Sequence, residues 1–209
     1  MFESPRLHQI GQMYKEKYNG SIRIVGGSLR GRSIDISAKY SGRPTKNIVR
    51  EALFDILGDR VKHSIFLDLF SGTGANGIEA ISRGAQRSYL VDMDNEAIKM
   101  CVLYSKKFSI QEAVEIKRMD SRRFVTKAVS ENMSFDIIFA DPPYALAYDD
   151  LREMFEGCAK LIGELGILAV EVECNIEYPD RILGLRRIKE KTYGRAKLCI
   201  YEGSVSGNV

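Results

Sequence analysis

The feature that most constrains the fold is an alternation, sustained from Ile65 to Val172, between short apolar runs and stretches of helical period. Ile65–Leu69, Ser88–Val91, Val114–Met119, Phe135–Ala140 and Ile167–Val172 read as strands. Ala75–Arg83, Asn95–Lys107, Arg122–Val129 and a stretch from about Asp149 to Ile162 read as helices. Strands that are apolar on both faces must be covered on both, and alternating helices supply the cover, so a parallel sheet between helical layers is expected. After Val172 the period changes. Leu185–Thr192 and Lys197–Tyr201 flank Tyr193-Gly194 without helical spacing and read as an antiparallel hairpin. The expected architecture is α/β and Rossmann-like, with a mostly parallel seven-stranded sheet. A chain of 209 residues suits one such domain.

The first part of the chain reads differently. Ile22 and Ile24 alternate with Arg23, Gly26-Gly27 offers a turn, and Ile34 and Ile36 alternate again after Arg30-Gly31-Arg32. A small β-hairpin with its arginines on the wet face follows from that pattern. Gly42-Arg43-Pro44-Thr45 breaks the chain. Thr45 has the chemistry of a helix N-cap, and Val49, Leu53, Ile56 and Leu57 keep helical spacing after it. The organisation expected is therefore an N-terminal extension and basic hairpin over 1–42, a main domain over 43–203 and a frayed tail over 204–209. Residues 1–50 carry ten basic side chains against three acids, a net +7 in a chain whose total is +3. A basic segment on a near-neutral body suggests a polyanionic partner. No apolar run has the length of a membrane span and no secretory leader is evident. The four cysteines form no CxxC pair and the two histidines stand alone, so a reducing cytoplasmic setting and no bound metal are expected. Monomer is the default.

The first strand–helix junction is Leu67-Asp68-Leu69-Phe70-Ser71-Gly72-Thr73-Gly74. Glycines 72 and 74 permit a tight turn and let a ligand touch backbone at the carboxyl end of a strand, where open α/β sheets bind ligands. Gly72-x-Gly74-x-x-Gly77 also fits a dinucleotide fingerprint. Charge separates the two readings. A dinucleotide would bring an anionic pyrophosphate beside Asp68, whereas S-adenosylmethionine has no phosphate and carries an ammonium and a sulfonium that an aspartate attracts. Asp92 closes the next strand, about 20 residues on, where an acid can accept from both ribose hydroxyls. Met93 can pack on an adenine face. Asp120, with Ser121 beside it, ends the third strand and can accept from the adenine amino group. Each acid also has a structural alternative: Asp92 or Asp94 can cap the helix from Asn95, and Asp120 the helix after it. Ser71 belongs to the same loop, and the Phe70 ring reads as core.

The fourth strand ends in Asp141-Pro142-Pro143-Tyr144. An exocyclic base amine is a poor nucleophile because its lone pair is delocalised into the ring. A carboxylate at Asp141 and the carbonyl of Pro142 can accept its two N–H bonds and steer the nitrogen towards tetrahedral geometry. Two prolines hold those acceptors in place in advance. Tyr144 offers a stacking face for a base taken out of its helix. The rest of the chemistry is in-line positioning at a methyl carbon, with no metal and no covalent intermediate.

These residues together resemble the bacterial small-subunit (16S) ribosomal RNA guanine-N2 methyltransferases of the D type, over about Ile22 to Tyr201. The resemblance is carried by Arg23-Ile24-Val25-Gly26-Gly27 with Arg30-Gly31-Arg32, by Arg43-Pro44-Thr45 with Val49-Arg50-Glu51 and Leu53-Phe54, and by the glycine loop with Glu79-Ala80 and Ser82-Arg83-Gly84-Ala85. Asp141 to Tyr144 and Tyr193-Gly194 complete it. The resemblance implies a class I S-adenosylmethionine-dependent fold and methyl transfer to N2 of one guanine in 16S RNA. It also implies an assembled or partly assembled small subunit as substrate, and contact between Arg43, Pro44 and Thr45 and the cofactor. Arg23, Arg30, Arg32 and Tyr144 are the candidate RNA contacts. The first 20 or so residues depart from the pattern. An adenine-N6 or cytosine-N4 DNA enzyme would use the same tetrapeptide, but the chain from Gly74 to Asp141 is taken up by helices and strands, which leaves little for a separate DNA-recognition segment. A non-catalytic RNA-binding protein of the same fold would not need an intact Asp141 and glycine loop.

Overall fold

The computed structural model describes residues 18–40, 42, 47–143 and 148–203. Its first element is a two-stranded antiparallel sheet, β1 (Tyr18–Arg23) and β2 (Ser33–Ser37). Then come α1 (Asn47–Leu57), β3 (Ile65–Leu69), α2 (Ala75–Ser82), β4 (Arg87–Asp92) and α3 (Asn95–Lys107). They are followed by β5 (Val114–Arg118), α4 (Ser121–Ser130), β6 (Phe135–Ala140) and α5 (Tyr148–Leu161). The chain closes through β7 (Ile162–Glu173), β8 (Arg181–Ile182), β9 (Leu185–Tyr193) and β10 (Ala196–Gly203). The large sheet has the order β5-β4-β3-β6-β7-β10-β9-β8. β5, β4, β3, β6 and β7 are parallel, and β10, β9 and β8 are added antiparallel.

The sequence reading matches this architecture closely, with three differences. The sheet has an eighth strand, only two residues long, that pairs Arg181–Ile182 on the outer side of β9 and has no periodicity to announce it. β7 begins at Ile162 and not at Ile167, because the chain around Gly163 and Gly166 continues extended along β6 across a register irregularity. On α1 the buried side is Val49, Arg50, Leu53, Phe54 and Leu57, while Ile56 stays half exposed. The predicted N-cap Thr45, residues 1–17 of the extension and the 204–209 tail lie outside the described residues. Among the described residues no helix is long and apolar enough to cross a membrane.

Side-chain alternation assigns the layers. Leu67, Leu69, Ile138, Leu168 and Val170 face α4 and α5, where Phe124, Val125, Leu151 and Phe155 meet them. Phe66, Ile137, Phe139, Ala169, Leu198 and Ile200 face the other way, onto Leu53, Phe54 and Leu57 of α1. The small sheet lies outside this second layer. Its Ile22, Ile24, Ile34 and Ile36 pack on Ala75 and Ile78 of α2 and on Met100 and Tyr104 of α3. The hairpin is thus a third layer with its own apolar contact, as its alternating isoleucines require.

What fixes that layer is polar. Glu79, on α2, has no exposed side-chain surface. Its carboxylate accepts the backbone N–H of Val25 (2.9 Å) and of Gly26 (2.8 Å), and the Nε–H of Arg83 (2.8 Å). The fully buried Arg50 guanidinium stands 3.7 Å away and donates to the carbonyl of Arg23 (2.6 Å) and to Asn47 Oδ1 (2.9 Å). One carboxylate therefore joins the hairpin, α1 and α2. The motif residues Gly26-Gly27 are explained by the same contact: a Cβ on Gly27, where φ is +72°, would lie 1.8 Å from the Ser82 carbonyl oxygen. Removing one partner of a buried ion pair strands the other charge, at a cost of about 3–5 kcal/mol. Glu79→Gln is expected to lower the unfolding free energy by about that amount, read from the urea midpoint, and a shift within error of zero would contradict the clamp.

Candidate active site

The acids singled out in the sequence stand in a row along the carboxyl edge of the parallel strands. Asp120 follows β5, Asp92 ends β4, Asp68 and the glycine loop belong to β3, and Asp141 follows β6. Neighbouring strands are about 4.8 Å apart, so four adjacent strand ends span about 14 Å. Asp141 is half-buried and held to the β3 end by its N–H on the carbonyl of Leu69 (3.5 Å); Pro142 is buried and Pro143 exposed.

The glycine loop is built by different forces at each position. Ser71 N–H bonds the Val91 carbonyl at 3.0 Å, and Gly74 N–H bonds the Ser71 carbonyl at 2.8 Å, which closes the turn. Gly74 has φ +76° and precedes the first residue of α2. A Cβ there would come within 2.9 Å of the Cys101 sulfur. A Cβ on Gly77 would meet Leu90 at 2.1 Å and Ser88 Oγ at 2.5 Å, so this third glycine serves close helix–strand packing. Gly72 is the one that faces the row of acids. Phe70 has φ +61° and packs its ring against the main core cluster, as its side chain suggested.

Asp68 is completely buried. Oδ2 accepts Gly77 N–H at 3.0 Å, while Oδ1 has no hydrogen-bond partner. Burial drives its carboxyl up from 3.8 to about 8, with the Asp92 charge adding to the rise and the Gly77 bond opposing it. Asp92 is half-buried. Its Oδ2 accepts Gly72 N–H (2.8 Å) and its Oδ1 accepts Asp94 N–H (2.8 Å), which ties the glycine loop to the end of β4. Met93, next to it, is 68% exposed on the same rim. The capping alternatives resolve residue by residue. Asp94, not Asp92, caps α3 by accepting Ala97 N–H at 2.8 Å, and Asp120 caps α4 by accepting Arg123 N–H at 3.1 Å. Ser121 is buried as the first residue of α4.

Sequence reasoning missed Tyr40. Its ring rests against the apolar cluster under the hairpin, and its hydroxyl reaches to 2.5 Å from where a Cβ on Gly72 would stand. Burial and the charges of Asp92, Asp94 and Asp141 push that hydroxyl well above the usual tyrosine value, so it stays a donor. Tyr40 lies in a stretch with neither helical nor strand period, and nothing in the chain signals that β2 ends beside the loop.

Other predicted residues are not brought to this row. The loop between β1 and β2 is anchored at the far end of α2, where Ser28 N–H bonds the Ser82 carbonyl at 2.8 Å. Eight helical residues, about 12 Å, separate that anchor from the glycine loop. Arg23 and Arg30 share a cleft with Arg83, Glu51 and Asp55, and Arg32 lies over the Phe108 ring. All three predicted arginines are exposed. Arg43, Pro44, Thr45 and Tyr144 lie outside the described residues.

The profile of the family described as conserved hypothetical protein 95 matches residues 22–202. This chain belongs to that family. Relatives of the family chain include YlbH of Bacillus subtilis, 32% identical over 188 residues that cover 87% of this chain and 98% of YlbH. They also include the ribosomal RNA small subunit methyltransferase D of Escherichia coli, 30% identical, with 93% of this chain and 98% of that protein covered. Among solved structures, the yhhF protein of Escherichia coli superposes with a TM-score of 0.77 at 26% identity, covering 88% of this chain and 99% of its own. SMU.776, solved with SAH bound, has a TM-score of 0.67 at 15% identity, covering 90% of this chain and 57% of its own, and so shares the fold.

The buried Asp68 makes a pH prediction. The folded chain keeps its proton up to about pH 8, whereas the unfolded chain releases it near 3.8. The native state therefore binds more protons in between, and stability is lost as pH rises from about 4 to about 8 and levels off above. Asp68→Asn removes this component. Urea midpoints at pH 5 and pH 8 should show the variant gaining on the parent at the higher pH, and a pH-independent difference would mean that Asp68 is ionised in the fold.

Proposed function

We propose that this chain transfers a methyl group from S-adenosylmethionine to the exocyclic N2 amine of a guanine in small-subunit ribosomal RNA. The coarser part, ribosomal RNA methyl transfer, follows from membership of a family whose full-length relatives carry that name. The guanine N2 target is our own reading, and the observation that carries it is the position of Asp141-Pro142-Pro143. This rigid acceptor loop ends β6 directly beside the glycine loop of β3.

The residues fit the proposed cofactor. A buried carboxylate with an unpartnered oxygen suits a ligand that brings positive charge and repels one that brings phosphate. Asp68, protonated in the ligand-free fold, would give up its proton to answer the ammonium, while the Asp92 carboxylate would meet the ribose hydroxyls and Met93 the adenine face. Asp120 accepts the helix N–H through Oδ1, which leaves its Oδ2, among the described residues, to face the adenine amine. Phe70, Ser71, Gly72 and Gly74 shape the wall between them. Arg43, Pro44 and Thr45 are assigned to the same cofactor by the family resemblance. S-adenosylmethionine, when bound, supplies the electrophilic methyl group.

The chain's own part is to orient the amine. The Asp141 carboxylate and the Pro142 carbonyl accept its two N–H bonds, and the nitrogen lone pair is turned towards the methyl carbon. Pro142 and Pro143 fix those acceptors before the substrate arrives, so little reorganisation is required at the moment of transfer. The amine proton passes to solvent water after the methyl group has arrived. Tyr144 is assigned to stacking on the extruded base, and Arg23, Arg30 and Arg32 to RNA phosphates remote from it.

The test is incubation with labelled S-adenosylmethionine and small subunits lacking the modification, with protein-free 16S RNA and duplex DNA in parallel, followed by mass spectrometry of the nucleosides. N2-methylguanosine from the subunit is expected; methyladenine from DNA would replace the substrate, and no product from any of them would sink the reading. Asp141→Ala is expected to lose at least 100-fold in turnover, in line with the loss of a preorganised transition-state acceptor. Its affinity for S-adenosylhomocysteine should stay within about twofold of the parent, measured by calorimetry. Near-normal turnover in that variant would remove Asp141 from the mechanism.

A further inference from the structure

A base presented to Asp141 has two sides. The row Asp68, Asp92 and Asp120 occupies the side of β3, β4 and β5. The other side belongs to β7, β10 and β9, and these strands do not stop where β6 stops. Ala140, the last residue of β6, pairs with Val170, yet β7 runs on to Glu173, opposite Ala196 of β10, which in turn faces Tyr193 of β9. Three further residues at about 3.3 Å each raise a wall about 10 Å past the end of β6. Its β9 strand stands three strands, about 14 Å, from β6.

The side of β9 that looks towards α1 carries Lys189, level with Phe139 of β6, then Lys191 and Tyr193 beyond the end of β6, at alternate positions opposite Ile200, Leu198 and Ala196. They line one side of a groove of about 300 Å³, whose other side is the exposed flank of α1 with Glu51 and Asp55. Three cations outside the groove are already paired, whereas Arg181 and Arg186, also outside it, are exposed and form no ion pair among the described residues. Arg187 meets Asp180 and Glu190, Lys197 meets Glu177 and Glu190, and Arg195 meets Glu173. Lys189 and Lys191 are exposed and reach no carboxylate within ion-pair distance among the described residues, Glu51 and Asp55 included. Lys191 instead rests its ammonium over the Tyr193 ring at 5.3 Å. Two uncommitted cations on one strand face, climbing towards the catalytic end and finishing in an aromatic ring, have the composition of a surface for a phosphate backbone with a base beside it.

We propose that the β9–β10 hairpin is a docking wall for the RNA substrate, with Lys189 and Lys191 on phosphates flanking the target base and Tyr193 as a flat contact for a neighbouring nucleotide. This rests on the reading of the chain as an RNA methyltransferase. It puts the nearer RNA contact at the opposite end of the sequence from the basic N-terminal hairpin, whose loop is held a helix length away from the catalytic row. A protein component of the subunit is the competing occupant; the lack of an ion pair to either lysine, beside two available acids, favours a partner that brings its own anions.

The experiment compares Lys189→Ala/Lys191→Ala with the parent and with Arg186→Ala, which changes a cation on the same strand outside the groove. Steady-state methylation of unmodified small subunits, binding to protein-free 16S RNA across a salt series and binding of S-adenosylhomocysteine are measured for each. The double variant should raise KM for the subunit about tenfold with kcat little changed. It should bind protein-free RNA more weakly, with a salt slope shallower by up to about two, and keep its S-adenosylhomocysteine affinity and its melting temperature. Arg186→Ala should match the parent. Unchanged KM and salt slope in an active parent background would overturn the docking wall alone. A loss seen on subunits but not on protein-free RNA would overturn it in favour of a protein contact. A parent that methylates no RNA would bring down the functional reading and this inference with it.

Discussion

Glu79 is the interaction on which the arrangement of the layers depends. Its carboxylate is sealed from water and faces two backbone N–H groups of the hairpin and the side chains of Arg50 and Arg83. A charge with no access to solvent is tolerated only where donors surround it, and here they come from the hairpin, from α1 and from the end of α2. The hairpin is drawn onto α2, and α1 is drawn in through Arg50. Tyr40, three residues past β2, ends with its hydroxyl beside Gly72.

The row of acids follows from a second constraint, the common direction of five parallel strands. Every β-to-α connection emerges on the same side, so acids that close successive strands fall into one row whatever else the chain does. Within that row the same residue type meets different fates. Asp94 and Asp120 face free helix N-termini and accept from them. Asp92 spends both oxygens on loop N–H groups and thereby holds the glycine loop still. Asp68 is one residue earlier than its strand end and points inward, so burial and not solvent sets its protonation.

Much of this was legible in the chain. The apolar runs at Ile65–Leu69 and Phe135–Ala140 are the strands β3 and β6 to the residue, and Asn95–Lys107 is α3 to the residue, helped by the capping Asp94 and by Asp141-Pro142 after β6. The glycine loop, Asp92, Asp120 and Asp141 close successive strands of the chain, so period and punctuation were enough to place them on one edge, although the sheet sets them in the order Asp120, Asp92, glycine loop, Asp141. The capping role of Asp120 and the core role of Phe70 stood among the readings that local chemistry allows.

What the sequence by itself determined is therefore the set of elements, their mostly parallel pairing and the edge on which the acids collect, since these depend on local period and on chain direction. Only the tertiary structure decided which groups meet across that frame. It placed the Tyr40 hydroxyl at Gly72, set the loop carrying Arg30 and Arg32 at the far end of α2, added the two-residue β8, and carried Lys191 and Tyr193 beyond the end of β6. The physical reason is one of range. Hydrophobic period and capping act over a few residues, whereas the burial of Glu79 and the register of β7 with β10 join residues 50 or more and about 30 positions apart, whose satisfaction no local pattern encodes.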